Sequence, residues 1–270
     1  MAGTPEYHDR YRVSIDEKPT YSIIRENLLK MKAINNEVFN QRVNIVFNLF
    51  DESQLFDLDD LWKNDTLFCE LKNPPEITFI DCFDDDGTIK QMAEDVKNEI
   101  KNKPNPLHKY IECLQKKEYN NLFVTYYNEK FLSVHRRSDD SLNKICGVCR
   151  PFVKKIFISV NGDVHMCENF IYSNYFGNIN QDVQIEKIEK LLQNYADNRE
   201  HTCKNCWAQK LCSLCFRDIY DKDGKTNLER ANKICESQRK LLQEVLREYS
   251  TILEIDEILL DHLDDYIVSF

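Results

Sequence analysis

The first hundred residues alternate between two patterns of apolar and polar positions. Apolar residues at helical spacing predict a helix over about 20–36, with Thr20 as its N-cap. Two continuous apolar runs, at 43–50 and 77–82, are rich in β-branched and aromatic residues and predict buried strands. Helical spacing returns in two further segments, 51–62 and 89–101. Helices that alternate with buried strands are typical of α/β structure with parallel strands.

Turn signals and spacing predict three elements in the rest of the chain. Apolar residues on both sides of an Asn-Glu-Lys triplet at 128–130 predict a small hairpin over 122–135. An Asn-Gly pair at 161–162 predicts a second hairpin over 155–167. The segment 241–267 has an apolar stripe and an acidic opposite face, which predict an amphipathic helix with a solvated charged side.

The bulk composition narrows the functional class. The chain has 270 residues, is 42% hydrophobic, and carries a formal net charge of −10. That charge argues against nucleic acid and against an anionic membrane surface as partners. No apolar leader and no run of membrane-spanning length occurs in the sequence. We therefore expect a cytoplasmic protein with no membrane contact, in which cysteines ligate metal in preference to forming disulfides.

The cysteines form the most specific pattern in the chain. Eight of the eleven fall in one segment: Cys146, Cys149, Cys167, Cys203, Cys206, Cys212, Cys215 and Cys235. Thiolate is a soft ligand that selects zinc, copper(I) or iron–sulfur clusters, and eight thiolates complete two four-cysteine sites. The paired Cys-x2-Cys units taken alone favour two structural zinc sites over two clusters. The other three, Cys69, Cys82 and Cys113, lack partners at ligand spacing and are expected to be buried free thiols.

The order of these spacings resembles a known family. It runs Cys-x12-Gly-x4-Cys, then Cys-x2-Cys-x5-Cys-x2-Cys, and ends with one more cysteine. This order resembles the SPASM domain, the C-terminal iron–sulfur module of many radical S-adenosylmethionine (SAM) enzymes. The gap between Cys212 and Cys215 is two residues, where the family usually has three. The stretch 206–212 looks like the version found in maturases of ribosomally made peptides.

Carried over by position, the resemblance implies two auxiliary 4Fe–4S clusters. The cluster nearer the active site would be held by Cys146, Cys149, Cys167 and Cys215. The outer cluster would be held by Cys203, Cys206, Cys212 and Cys235. The resemblance assigns no catalytic residue in this chain.

The resemblance extends upstream of the cysteines. Residues 8–28 are similar to the segment that follows the fourth strand of a radical SAM barrel, so the two predicted strands would be the fifth and sixth. The implied fold is α/β, a partial radical SAM barrel followed by a SPASM domain and a C-terminal helix. The corresponding domains are 1–140, which carries an insertion, 141–240 with both cluster sites, and 241–270.

The sequence contains no Cys-x3-Cys-x2-Cys motif, on which radical SAM enzymes hold the cluster that cleaves SAM. We therefore expect the C-terminal portion of a maturase that does not cleave SAM alone. SAM would bind only in the presence of the missing N-terminal half. One possibility is that a separate chain supplies that half. The implied substrate is a ribosomally synthesised precursor peptide, and thioether formation is one reaction of such enzymes.

Two alternatives come from different functional classes. One is a non-catalytic interaction module with two zinc sites. The other is a cluster-bearing electron-transfer subunit for a separate radical SAM partner.

Overall fold

A computed structural model describes residues 1–79, 104–135, 152, 155–168, 176–220 and 225–264. These residues form two compact units. Unit 1 contains 1–79, 104–135 and 248–264, and unit 2 contains the described residues from 152 to 247. The helix predicted at 89–101 lies outside the described residues. Within them, no helix combines the length and the apolar character needed to cross a membrane.

Unit 1 is built mainly from helices around one pair of strands. The helices are α1 Pro5–Tyr11, α2 Tyr21–Ile34, α3 Asn36–Arg42, α4 Leu55–Asn64, α5 Pro106–Gln115 and α6 Leu122–His135. The strands are β1 Val46–Leu49 and β2 Glu76–Phe79. The described part of the unit also contains two short 3₁₀ helices, Glu52–Gln54 and Glu257–Leu260, and the last turns of a long helix that ends at Ile255.

The two strands of unit 1 run parallel, with Val46 opposite Glu76 and Leu49 opposite Phe79. The predicted strands and their parallel pairing are therefore confirmed for the residues that the structure describes, but the predicted full burial is wrong, because Val46 and Phe79 are exposed. Phe47 and Leu49 are fully buried, since alternate side chains of β1 face the core. The partial barrel stays a prediction, because this pair is all the parallel sheet that the described part of the chain contains.

Helix α2 starts as predicted, with Thr20 at the N-cap position, but the side chain that accepts the hydrogen bonds there is that of Asp9. The Asp9 Oδ1 atom accepts hydrogen bonds from the backbone N–H groups of Thr20 and Tyr21, at 2.9 and 2.8 Å. The Thr20 hydroxyl donates instead to the carbonyl oxygen of Arg12 at 2.6 Å. A carboxylate of α1 thus satisfies the first N–H groups of α2 and joins the two helices.

The segment 122–135 is one helix, α6, and the predicted hairpin is wrong. The helix has a side-chain cap, because the Asn121 Oδ1 atom accepts a hydrogen bond from the Phe123 N–H at 2.9 Å. Asn128, which suggested a turn, is buried in mid-helix and accepts a hydrogen bond from the Tyr110 hydroxyl at 3.1 Å. The core side chains of α6 recur at four-residue spacing: Phe123, Tyr127 and Phe131.

Unit 2 contains the predicted hairpin and two long helices. Its elements are β3 Phe157–Ile158, β4 Val164–His165, α7 Ile185–Cys203, a 3₁₀ helix Phe216–Ile219, and α8 Leu228–Ile255 as far as Arg247. The strands pair antiparallel, with Phe157 opposite His165, which confirms the hairpin. At its turn Gly162 has φ +82°, a left-handed conformation that favours glycine.

The C-terminal segment differs from the single helix predicted over 241–267. Helix α8 begins at Leu228 and ends at Ile255. Asp256 has an extended backbone, and its side chain accepts a hydrogen bond from the Ile258 N–H at 3.1 Å. Aspartate in this role caps a new helix and so ends the preceding one. As a result Leu263 is buried, whereas Ile255, expected on the same apolar stripe, is 49% exposed.

Gly177 is a backbone position where a side chain should be costly. Its φ is +135°, and a Cβ added there would lie 2.8 Å from the carbonyl oxygen of Asp182. We expect Gly177→Ala to lower the free energy of unfolding by about 2 kcal/mol, because neither the backbone conformation nor the backbone contact relaxes easily. Urea unfolding of the reconstituted chain measures this loss.

Gly162→Ala is the matched control for this prediction. An added Cβ at Gly162 would also lie 2.8 Å from a neighbour, but that neighbour is the side chain of Ile179. Ile179 is 63% exposed and can rotate away, so the loss should be smaller. Equal losses for both variants, or none at Gly177, would contradict the prediction.

Candidate metal centre

The four cysteines predicted to hold the outer cluster line one pocket in unit 2: Cys203, Cys206, Cys212 and Cys235. They belong to three parts of the chain, namely the end of α7, the turns that follow it, and α8. The fold therefore brings together thiols that are more than thirty residues apart in the sequence. Their role as metal ligands stays a prediction.

Tight turns after α7 place the first two of these cysteines. Cys203 is the last residue of α7, and its carbonyl oxygen accepts a hydrogen bond from the Cys206 N–H at 3.0 Å. The Cys206 carbonyl oxygen in turn accepts from the Gln209 N–H at 3.0 Å. Two consecutive turns thus hold the Cys-x2-Cys pair at the pocket, as that spacing commonly does in metal sites.

The other two cysteines reach the pocket from a loop and from a helix. The Cys212 sulfur accepts a hydrogen bond from the Leu214 N–H at 3.4 Å. Cys235 is buried on α8, on the same face as Ala231 and Leu242. A cysteine on an apolar helix stripe is held by core packing, so its position does not depend on a bound metal.

Arg199 of α7 also lines this pocket, and only 2% of the residue is exposed. Its Nη2 atom donates a hydrogen bond to the Cys235 sulfur at 2.8 Å. This contact joins α7 to α8 across the pocket. A buried guanidinium favours negative charge close to it, and thiolate ligands supply such charge.

Burial raises the pKa of the Cys212 thiol above its ordinary value. The Leu214 N–H opposes this rise, the neighbouring Cys235 and Cys203 add to it, and Arg199 opposes it. A thiol must lose its proton before it ligates metal, so metal loading at this pocket should be favoured at higher pH.

The types of donor at this pocket fit a thiolate-ligated group, although their present grouping does not yet form a complete set of ligands. Four cysteine sulfurs are the usual ligands of 4Fe–4S clusters and of many structural zinc sites. In the part of the chain that the structure describes, no three His, Cys, Asp or Glu side chains are grouped so as to hold a metal ion. The fit accordingly depends on four thiols that share one pocket and on the buried cation beside them.

The first predicted ligand set is only half described. Cys146 and Cys149 lie outside the described residues. Cys167 follows β4 and packs against a hydrophobic core that contains Leu214 and Phe216, the two chain neighbours of Cys215. Neither Cys167 nor Cys215 is among the residues that line the pocket of the outer set.

The three outlying cysteines were expected to be buried free thiols. Cys113 is free and buried, as expected. Cys69 is free but exposed, so the prediction is wrong for this residue. In the turn after α4, the preceding Leu67 and Phe68 are buried and Cys69 faces solvent. Cys82 lies outside the described residues.

Arg199 was not singled out from the sequence, although a signal was present. On α7 the buried stripe includes Ile188, Tyr195 and Cys203, and Arg199 stands four residues after Tyr195 and four before Cys203. Burying an arginine on an apolar helix stripe costs free energy unless an anion or hydrogen-bond acceptor lies next to it inside the protein. An arginine on this stripe, one helical turn before Cys203, could therefore have indicated a buried anionic site next to that cysteine.

Comparison with known families identifies one part of the chain. Residues 146–207 match the model of SPASM, described as an iron–sulfur cluster-binding domain. The match contains five of the eight clustered cysteines and ends before Cys212, Cys215 and Cys235. No curated protein and no solved structure matches the chain. The chain therefore contains a SPASM domain, a type of domain described as binding iron–sulfur clusters.

Proposed function

We propose that this chain is the cluster-bearing portion of a radical SAM enzyme that modifies a ribosomally synthesised precursor peptide, for example by forming a thioether. One observation carries the proposal: Cys203, Cys206, Cys212 and Cys235 converge on one pocket in a chain with a SPASM domain. From the sequence, all four were expected at one site only on the basis of spacing and resemblance. The match to SPASM stops before Cys212, so the support for Cys212 and Cys235 as ligands comes from their position at the pocket.

In this proposal two sets of four cysteines hold two auxiliary 4Fe–4S clusters. Cys146, Cys149, Cys167 and Cys215 form the inner set, and the pocket cysteines form the outer set. Bound clusters supply one-electron transfer next to the peptide. The protein supplies the ligands, buries Cys203 of α7 and Cys235 of α8, and places the Arg199 guanidinium beside Cys235.

The SAM-cleaving half of the chemistry would come from residues outside this sequence. The given sequence has no Cys-x3-Cys-x2-Cys motif for the cluster that binds SAM. A separate chain, or a segment not included here, would supply that cluster and most SAM contacts. The precursor peptide would then bind where the two parts meet.

Anaerobic reconstitution of the full chain with iron and sulfide tests the proposal. We expect a brown protein with visible absorption and about eight irons and eight sulfides per chain, since each 4Fe–4S cluster takes four cysteines. The metal content of the protein as purified should be measured beside it. A colourless chain that retains zinc and takes up no iron would contradict the proposal and support the zinc-binding module.

The remaining alternative, an electron-transfer subunit, is separated by a second measurement. A radical SAM partner is added to the reconstituted chain, and peptide modification is followed by mass spectrometry. In the proposal, modification requires this chain even when a chemical reductant supplies the electrons. A reductant that fully replaces the chain would favour the electron-transfer role instead.

A further inference from the structure

The buried arginine of unit 2 occupies an unusual position for a charged side chain. Arg199 is 2% exposed, and it lies on the apolar stripe of α7 between Tyr195 and Cys203. Burial of a cation without compensation costs several kcal/mol, so proteins keep such groups where they meet an anion or a strong acceptor. The position therefore calls for negative charge on the pocket side of α7.

The structure shows where that charge would be. The Arg199 Nη2 atom lies 2.8 Å from the Cys235 sulfur, and Arg199 lines the pocket together with all four cysteines of the outer set. A second arginine, Arg239 of α8, also lines the pocket but is only partly buried. The pocket thus combines four potential thiolates with one buried and one partly exposed guanidinium.

A hydrogen bond to a ligand sulfur changes the energy of a cluster's two redox states by different amounts. Adding one electron makes the cluster and its four thiolates more negative by one charge. A fixed cation and an N–H donor at a ligand sulfur stabilise the more negative state more, which raises the reduction potential. The effect is strongest where the cation is buried, because solvent and salt screen it least.

We propose that Arg199 sets the reduction potential of the outer cluster, raising it through its buried hydrogen bond to Cys235. The inference rests on the proposed function, because it requires a cluster on the pocket cysteines. It assigns this chain a residue that decides how readily the outer site takes up one electron. In the test below that electron comes from dithionite, which is oxidised as the cluster is reduced.

Four variants of the reconstituted full chain test the inference: Arg199→Gln, Arg199→Lys, and the controls Arg239→Gln and Arg230→Gln. Each is titrated with dithionite at controlled potential while the reduced clusters are followed by electron paramagnetic resonance. Arg199→Gln should shift one of the two cluster midpoints to lower potential with iron content unchanged. Arg199→Lys keeps the charge but loses the planar donor fork, so its midpoint should lie between those of Arg199→Gln and the unaltered chain.

Two control substitutions separate this role from general effects. Arg239→Gln removes a charge from the same pocket at a site that solvent screens, so its shift should be clearly smaller. Arg230→Gln removes another buried guanidinium of unit 2, which donates to the Arg217 carbonyl oxygen at 3.0 Å and does not line the pocket. It should leave unchanged the midpoint that Arg199→Gln shifts, even where it lowers stability.

The outcomes distinguish failure of the inference from failure of the proposed function. Unchanged midpoints in a fully loaded Arg199→Gln chain would overturn the inference alone. Equal shifts in the Arg199→Gln and Arg239→Gln chains would also overturn it, as would loss of one cluster from both Arg199 variants. An unaltered chain that binds no iron would overturn the proposed function and the inference together.

Discussion

Replacing Cys235 with alanine should remove about half of the iron from the reconstituted chain, from about eight to about four atoms. The expectation follows from the pocket, because Cys235 supplies one of its four thiols from α8. A cluster that loses one of four protein ligands is held poorly, whereas the inner set keeps all its cysteines. Iron and sulfide assays after anaerobic reconstitution and desalting measure the change.

Cys113→Ala is the matched control for this substitution. Cys113 is as well buried as Cys235, but it belongs to α5 of unit 1 and was predicted to be a free thiol. Its replacement removes the same atoms from a core and should leave the iron content unchanged. Equal iron in the Cys235→Ala chain and the unaltered chain would contradict the assignment of Cys235. Loss of iron from the Cys113→Ala chain would contradict the ligand sets as a whole.

Spacing predicted the local part of the pocket well because turns constrain it. Cys203 and Cys206 are joined by a hydrogen bond between their own backbones, so a separation of three residues almost dictates their proximity. Cys235 lies on a different helix, 29 residues after Cys206, and spacing alone does not predict contact over that separation in sequence. Its place in the outer set came from family resemblance, and its position at the pocket depends on how α7 and α8 pack.

Arg199 is a functional candidate that the cysteine spacing does not reveal. Arginine does not bind metal directly, so the spacing of potential ligands does not reveal it. The apolar stripe of α7 does indicate a buried site, because it has a charged residue at a position where a hydrophobic one is expected. Interruptions of a periodic pattern therefore locate functional groups that motif spacing does not.

The error at 122–135 has a related cause. Asn128 was taken as a turn residue because asparagine favours turns when its amide is free to bond its own backbone. In α6 that amide is engaged by the Tyr110 hydroxyl, 18 residues away, so the local preference does not act. The predicted turn also included the neighbouring Lys130, as the last residue of the polar triplet between the two apolar runs. Tertiary partners, which the sequence does not display, decided the structure of this segment.

Lys130 lies at the centre of a charged network in unit 1. Its Nζ atom is 2.6 Å from a carboxylate oxygen of Glu52 and 2.6 Å from one of Glu248. The Tyr126 and Tyr127 hydroxyls donate to Glu52 at 2.7 and 3.1 Å. Burial raises the pKa of both tyrosines, so they stay protonated donors over the working pH range. The network links the 3₁₀ helix after β1, α6 and the end of α8.

Lys130→Met should lower the free energy of unfolding by about 2 to 3 kcal/mol. The Lys130 side chain is only 10% exposed, and Glu52 and Glu248 are 27% and 21% exposed. Removing the ammonium leaves two carboxylates facing each other in a partly desolvated site, where repulsion adds to the lost attraction. Methionine keeps most of the side-chain volume, so the change reports the charge and not a cavity. Urea unfolding followed by far-ultraviolet circular dichroism measures it.

Lys116→Met provides the comparison at the surface of the same unit. Lys116 pairs with Glu112 one helical turn away, but the two side chains are 55% and 42% exposed. Exposed pairs of this kind contribute little to stability, because water and salt screen them and two long side chains must be ordered. A loss at Lys130 no larger than the loss at Lys116 would mean that the buried network does not hold α6 to its neighbours. A large loss at Lys130 alone would show that the residue taken for a hairpin turn is a main source of stability in unit 1.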